Sequence, residues 1–483
     1  MNRKSLILLS SLRTLVRGVA ISALRRAETL NAYKQADTSI VTFDYCEDYA
    51  IIIKKLRDSG YLKNAFHLNI FDYFSSCDFS ACESLGDSSI VRQIRHGKDV
   101  KKERCTKWCV KYSFPDGRNV FEYFRPNSDV VYLRAVTLGG HFLWDYTPEI
   151  ELVDGDLLIK RFHGTREFWG FFIEEITKGV TNVHIFQDAS YIEKGDTRDK
   201  FCAIKKGGRF YNYRIAHGAT QVDIRKKDSA AIPSWGGDDE HREDYSGIVF
   251  LTENQRNHWV ESQGFDDRLV VIPHESGVEG IGYTERDGDR CVCITSLTPL
   301  KHVDMAIKAF ELVVKKRPAA ILEIYGQGGE QSRLEELISD LSLKSNVFLK
   351  GYSINAQKAL KGAAVSIVTS ERESFGMPIL ESYAYSCPVV SFDVNYGPHE
   401  LVQEGLTGYK VPFGSIDGLA VAILRVLDRG DMSDQLRRNC HSKSRDFSKE
   451  KISSLWGQLM ESAESMRAEF IASHQDSNGC TRS

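Results

Sequence analysis

The chain has no apolar run long enough to cross a bilayer, no Cys-x-x-Cys pair and almost no net charge. Each absence removes a class of function. A membrane-spanning helix needs about 20 consecutive apolar residues. The most suggestive segment, Ser5-Leu-Ile-Leu-Leu-Ser-Ser-Leu12, stops at Arg13. It follows Asn2-Arg-Lys as a secretory leader would, but no small-residue cleavage site comes after it, so it reads as the first strand of a parallel sheet. The eleven cysteines are odd in number, and Cys77 with Cys82, Cys105 with Cys109 and Cys291 with Cys293 lack zinc-site spacing and companion histidines. Reduced, mostly buried thiols and a cytoplasmic location are expected. A formal net charge of −3 argues against a nucleic-acid partner.

What is present is an α/β pattern too long, at 483 residues, for one core. The first strand, a helix with apolar positions Ile21, Leu24, Ala27 and Leu30, a strand over Thr38–Tyr45 and a helix over Cys46–Ser59 make a βαβ beginning. From about Phe71 to Gly164 helical periodicity fades. Short aromatic and β-branched runs separated by turn signals at Pro115-Asp-Gly and Asp154-Gly-Asp read as an antiparallel insertion. Rossmann-like punctuation returns after Thr165, interrupted by a polar, acidic loop over Ser234–Asp244. A glycine-containing linker, Gly277–Gly288, opens a second series of βα units. The expected division is therefore 1–70 and 165–276 for the first Rossmann-like domain, 71–164 for the insertion and 277–449 for the second domain. A docking helix over 450–472 and a disordered tail over 473–483 complete it.

The most informative stretch is Ser370-Glu-Arg-Glu-Ser-Phe-Gly-Met-Pro-Ile-Leu-Glu381. A buried strand ends just before it, and Pro378 suits the first turn of a following helix. The loop thus lies at a strand's carboxyl end, where open α/β sheets bind ligands, beside a helix start that favours phosphate. Glu373 and Glu381 are either solvated or hold hydroxyl groups there. Gly326-Gln-Gly-Gly329 reads as a tight strand-to-helix turn rather than a phosphate loop. Tyr396-Gly-Pro-His-Glu400 fits a turn and cap or a phosphate-facing loop equally well. The run Arg92, Arg95, Lys98, Lys101 and Lys102 is either a solvated strand edge or a groove for a polyanion.

Glu373 and Glu381 around Phe-Gly-Met-Pro, with Pro299-Leu-Lys301, Ile324-Tyr-Gly-Gln-Gly328, Asn346-Val-Phe-Leu-Lys-Gly351 and Gly405-Leu-Thr-Gly408, resemble the retaining GT-B glycosyltransferases of family 4. Arg17-Gly18, Ser22-Ala-Leu-Arg-Arg-Ala-Glu, the insertion and Phe392-Asp-Val-Asn-Tyr-Gly-Pro398 look like the bacterial wall teichoic acid α-glycosyltransferases and the serine-rich-adhesin glycosyltransferases. The resemblance implies a GT-B fold with two Rossmann-like domains facing a cleft. It implies transfer of glucose or N-acetylglucosamine from a UDP-sugar to a hydroxyl of an anionic wall polymer or serine-rich protein, with retention and without metal or other cofactor. Glu373, Lys301 and His217 would be catalytic. Gly18, Ser296, Phe375, Gly376, Met377, Glu381, Tyr396 and Gly397 would hold the donor. Arg92, Arg95, Lys98, Lys101 and Lys102 would hold the acceptor. Homo-oligomers through the insertion and peripheral membrane association are expected.

One position departs from the pattern. The family places an arginine five residues before the lysine, and Ser296 stands there. A missing cation beside a diphosphate leaving group costs a few kcal/mol of transition-state stabilisation. The alternative reading is accordingly a non-catalytic GT-B subunit that supports a protein glycosyltransferase.

Overall fold

The structure is a computed structural model describing residues 3–9, 11–12, 18–138, 149–188, 208–217, 245–278, 281–428 and 431–479. Arg13–Arg17 and the acidic segment Ser234–Asp244 lie outside the described residues.

The first strand, β1 (Arg3–Leu9), shows why the N-terminal half is layered. Side chains alternate across a strand. Ile7 and Leu9 join one core and Leu6 and Leu8 another, all buried. The first core receives α1 (Gly18–Ala32), which leads to β2 (Asp37–Thr42), α2 (Tyr49–Asp58) and β3 (Phe66–Asn69). The second core receives the insertion, and rings of both parts make an aromatic cluster there: Phe74 of the insertion lies 5.2 Å from Phe168, and Phe43 lies 4.8 Å from Trp169.

The insertion is less purely β than its sequence suggests. It begins with α3 (Ile70–Ser76), capped by the Asn69 side chain, and α4 (Ser89–His96), capped by Ser88. Ser and Asn side chains satisfy the free amides of a helix start, and these two caps turn short segments helical. Then come β4 (Lys101–Thr106), β5 (Cys109–Ser113), β6 (Asn119–Phe124), β7 (Val131–Thr137), β8 (Glu149–Asp154) and β9 (Leu157–Phe162), an antiparallel sheet in sequence order.

The chain returns through α5 (Thr165–Ile176), β10 (Asn182–Gln187), β11 (Phe210–Ile215), β12 (Gly247–Phe250), α6 (Glu253–Gln263) and β13 (Leu269–Val271). Among the described residues the first Rossmann-like sheet has the parallel order β13-β12-β11-β10-β1-β2-β3.

The second half runs β14 (Arg290–Ile294), α7 (Val303–Lys316), β15 (Ile321–Tyr325), α8 (Gln331–Asp340), β16 (Val347–Gly351), β17 (Val365–Val368) and α9 (Met377–Ala384). It continues with β18 (Val389–Phe392), α10 (Gly397–Leu401), β19 (Gly408–Val411), α11 (Ile416–Leu427) and α12 (Asp431–Ser444). Its parallel order is β16-β15-β14-β17-β18-β19. The order reverses between β14 and β17, and crevices for ligands open at such a reversal.

The last helix, α13 (Lys449–Gly479), crosses back to the first half. Trp456 and Met460 enter the core beneath β1 and α1. Glu464 receives two bonds from Arg3, at 2.8 and 2.7 Å, and lies 2.8 Å from His184 Nε2. Burial raises the Glu464 pKa, but the His184 and Arg3 hydrogen bonds outweigh it and bring the carboxyl down to about 2. The expected disordered tail over 473–483 needs correcting over 473–479, where the helix continues to Gly479; 480–483 lie outside the described residues. A second tie between the halves is Glu400 of α10. Its carboxylate accepts from the backbone amides of Glu253 and Asn254 at the start of α6, at 3.1 and 3.0 Å.

Candidate active site

Two loops meet over the reversal between β14 and β17. After β14, Pro299–Lys301 forms a single 3-10 turn. After β17, the Ser370–Gly376 loop turns through Gly376, at φ +91°, into α9. The loops are tied by their backbones: Glu371 N donates to Leu300 O at 2.9 Å, and Thr369 Oγ1 donates to Lys301 O at 2.8 Å. These ties bring Lys301 Nζ to 2.6 Å from Glu373 Oε2, which also accepts from Ser370 Oγ at 3.2 Å.

A third loop supports Glu373 from behind. Tyr396 N and Gly397 N both donate to Glu373 O, at 2.7 and 3.1 Å. A Cβ at position 397 would lie 1.6 Å from Phe375 O, so only glycine permits this approach. Tyr396 and Gly397, expected to touch the donor, therefore need correcting. Both are buried behind the loop and hold its backbone rather than line the cleft.

Across the cleft stand side chains from the first half. Arg25 of α1 donates to Glu381 Oε1 at 2.8 Å. Burial is the largest influence on its guanidinium and pulls the pKa down; the Glu381 charge, with smaller help from Tyr61 and Glu275, reverses this and leaves it raised. His217, after β11, places Nε2 2.6 Å from Asp188 Oδ1, and Asp188 also pairs with Arg26. His274 lies against His217 with ring centroids 5.5 Å apart and meets the Phe375 ring edge-on at 5.1 Å. Complete burial, then the neighbouring His217, holds the His274 pKa well below its ordinary value.

Arg25, His217 and His274 line one cavity of about 400 Å³ with Lys301, Glu373 and Glu381. Of the expected residues it brings together Glu373, Lys301, His217, Ser296, Phe375, Gly376, Met377 and Glu381. Gly18 is the first residue of α1, one position before the lining residue Val19. Gly326 and Gln327 also line the cavity, within a tight turn from β15 to α8 in which Leu297 N donates to Gln327 O at 3.0 Å. Lys301 and Arg25 are the lysine and arginine of the lining among the described residues, and each is held by a carboxylate.

The basic residues lie elsewhere. Arg92 and Arg95 are on α4, not on a strand edge as one reading of the sequence has it. Lys98 follows in the connecting turn, and Lys101 and Lys102 lie on β4, an edge strand. All five are exposed, none lines the cavity, and Arg95 pairs with Asp156 at 2.5 Å.

Arg25, Asp188 and His274 were not assigned from the sequence. The Arg-Arg pair at 25 and 26 was the only available signal, because apolar helical spacing gives no reason for two cations on a buried face.

A family model described as "Glycosyl transferases group 1" matches residues 285–445. A poly(ribitol-phosphate) α-N-acetylglucosaminyltransferase of Staphylococcus aureus (strain COL) is 34% identical, over 88% of this chain and 92% of that protein. A poly(glycerol-phosphate) α-glucosyltransferase of Bacillus subtilis (strain 168) is 24% identical, over 85% of this chain and 68% of that one. Among solved structures, a S. aureus TarM variant with fondaparinux, α-GlcNAc-glycerol and UDP superposes with a TM-score of 0.70 at 20% identity, covering 95% of this chain and 99% of TarM. The pneumococcal O-GlcNAc transferase GtfA with UDP and GlcNAc gives a TM-score of 0.67 at 15% identity, over 95% and 99%. The match to the poly(ribitol-phosphate) enzyme spans both halves and the insertion, and with it this chain belongs to the group 1 glycosyltransferases, hexosyltransferases built on the GT-B fold.

Proposed function

We propose that the chain transfers glucose or N-acetylglucosamine from a UDP-sugar to a hydroxyl of a polyol-phosphate wall polymer, with retention of anomeric configuration. The observation that carries this reading is the convergence of Lys301, Ser370 and Glu373 from one half with His217 and Arg25 from the other on a single cleft at the carboxyl ends of both sheets. The polymer class follows from the relatives that match over most of the chain.

In this reading the acceptor oxygen forms a bond to the anomeric carbon while the bond to the diphosphate oxygen breaks. UDP departs with the electron pair, and its phosphate takes the acceptor proton. Glu373 accepts hydrogen bonds from the sugar hydroxyls and releases Lys301 to the diphosphate, where a fixed cation stabilises the charge that develops. Gly376 and Met377 offer backbone amides at the start of α9. Glu381 holds ribose hydroxyls, His217 faces the sugar, and Phe375 packs beside it. Lys301 takes the part that a divalent metal plays elsewhere. Arg92, Arg95, Lys98, Lys101 and Lys102 attract the polyanion at the outer edge of the insertion.

Ser296 favours the second reading, a non-catalytic subunit, because it lines the cavity and brings no charge. The experiment offers UDP-glucose and UDP-N-acetylglucosamine with poly(glycerol phosphate), poly(ribitol phosphate) or a serine-rich peptide, with and without EDTA. UDP release and product mass are followed. Turnover on a polyol-phosphate polymer that survives EDTA is expected. No turnover with any pair, while UDP leaves the melting temperature unchanged, refutes the enzyme.

A further inference from the structure

Among the described residues, Arg25 is the one lysine or arginine lining the cleft that comes from the first half. Its guanidinium joins three parts of the chain. It stands on α1, donates through Nη2 to Glu381 Oε1 of the second half at 2.8 Å, and through Nη1 to Ser276 O at the interdomain crossing at 3.3 Å. The side chain is 6% exposed and that of Glu381 12%. The crossing is shaped around it, since a Cβ at Gly277 would fall 2.2 Å from Arg25 Nε and 2.3 Å from Cζ. Nearby, Thr29 of the same helix donates to Glu275 Oε2 at 2.5 Å and fixes the crossing next to Arg25.

The pair is unusual for its place. A buried ion pair between domains gives little net stability, because desolvating both charges offsets their attraction. Among the described residues Glu381 is engaged through Oε1 by Arg25, and it also faces the cavity. A bare carboxylate there would repel an anionic nucleotide. Paired with Arg25, it has its charge balanced and its rotamer fixed, with Oε2 left to accept from a ligand hydroxyl. Arg25 also makes that geometry depend on how the two halves are set.

Resting on the nucleotide-sugar reading above, we propose that Arg25 is a positioning residue for the donor nucleotide. It acts through Glu381, orienting its carboxylate for a ribose hydroxyl through a contact that joins the two halves.

The test measures UDP binding by titration calorimetry, donor and acceptor KM, kcat and melting temperature for the full chain. It compares wild type with Arg25→Lys, Arg25→Gln, Glu381→Gln and Arg25→Gln with Glu381→Gln. Arg25→Gln is expected to weaken UDP binding and raise the donor KM at least tenfold while the acceptor KM stays within twofold. Arg25→Lys should recover most of the loss. The double variant should bind UDP no more weakly than Glu381→Gln alone, since coupled residues are not additive. If Arg25→Gln does not fold, Arg25→Lys against Glu381→Gln carries the comparison, with a threefold to tenfold donor-specific loss expected for the lysine. Unchanged UDP binding in the folded Arg25 variants, or additive losses in the double variant, overturns the proposal and leaves the enzyme reading intact. Absence of UDP binding by wild type overturns both.

Discussion

Replacing Lys301 by alanine separates catalysis from stability more cleanly than any other change in the cleft. Lys301 Nζ lies 2.6 Å from Glu373 Oε2, with the two side chains 23% and 19% exposed. The pair is neither fully solvated nor fully buried, so its loss costs about 1 kcal/mol of folding stability. Ser370 still donates to the Glu373 carboxylate at 3.2 Å, which limits the damage. Each kcal/mol moves the melting temperature of a domain this size by about 2–4 °C. The effect on the reaction is larger. One preorganised donor or cation aimed at developing charge is worth about 3–4 kcal/mol, or about 10²–10³ in kcat. Among the described residues lining the cleft no other lysine or arginine compensates, because Ser296 is uncharged and Arg25 is committed to Glu381. The expected result is a drop in kcat of about 10³, read as initial UDP release at saturating donor and acceptor, in a protein that melts within a few degrees of wild type. Adding Ser296→Arg to Lys301→Ala should restore at least tenfold by returning a cation to the same loop after β14. Turnover of Lys301→Ala within fivefold of wild type would refute the assignment of Lys301 to the leaving group, and with it the reason for regarding Ser296 as a deficit.

Two further predictions concern the frame of the site. Asp188 is buried and pairs with both Arg26 and His217, so Asp188→Ala leaves a buried guanidinium without its anion and should cost about 3–5 kcal/mol. Arg26→Met in the same chain should recover more than half, and a loss under 1 kcal/mol by urea unfolding would show that the pair does not support His217. The Glu464 carboxyl, brought down to about 2 from an unfolded value near 4.5, gives stability that is fully present above pH 4.5 and is lost as pH falls toward 2. After solvent screening of this partly exposed group, about 1–2 kcal/mol remains. Glu464→Gln should therefore unfold at lower urea than wild type at pH 7, and the gap should close below pH 4.5; an equal gap at pH 3 would refute it.

The sequence is most legible where a residue's neighbours in space are also its neighbours in the chain. Pro378 announces the start of α9, and the uninterrupted apolar run Leu6–Leu9 in β1 announces a strand covered on both faces. The glutamate pair and Lys301 were found because their loops carry a recognisable spacing. The helices α3 and α4 were not, since each is short and made by one capping side chain, Asn69 or Ser88, at its start. Periodicity needs several turns to register, and one cap is enough to fold two. The extension of α13 to Gly479 was missed for the opposite reason. Its polar last turns resemble a tail, yet the helix is already anchored at Trp456, Met460 and Glu464 and continues from there.

The least legible feature is the charge balance of the cleft, because its partners lie in different halves. Glu381 follows Arg25 by 356 positions, and Asp188 follows Arg26 by 162. From the sequence alone, Ser296 looked like a lost cation beside two carboxylates. In the fold, Glu373 is balanced by Lys301 and Glu381 by Arg25, so among the described residues the lysine, arginine and carboxylates lining the cleft sum to zero. An arginine at 296 would give a site with one excess positive charge before any donor arrives. With serine there, an anionic diphosphate gains a cation only when a carboxylate exchanges its partner. Glu373 is the one suited to do so, since a sugar hydroxyl can replace Lys301 on Oε2 while Ser370 holds the carboxylate in place. On the proposed function, release of Lys301 to the leaving group would be coupled to the arrival of the sugar, and a donor lacking those hydroxyls is expected to leave the lysine engaged.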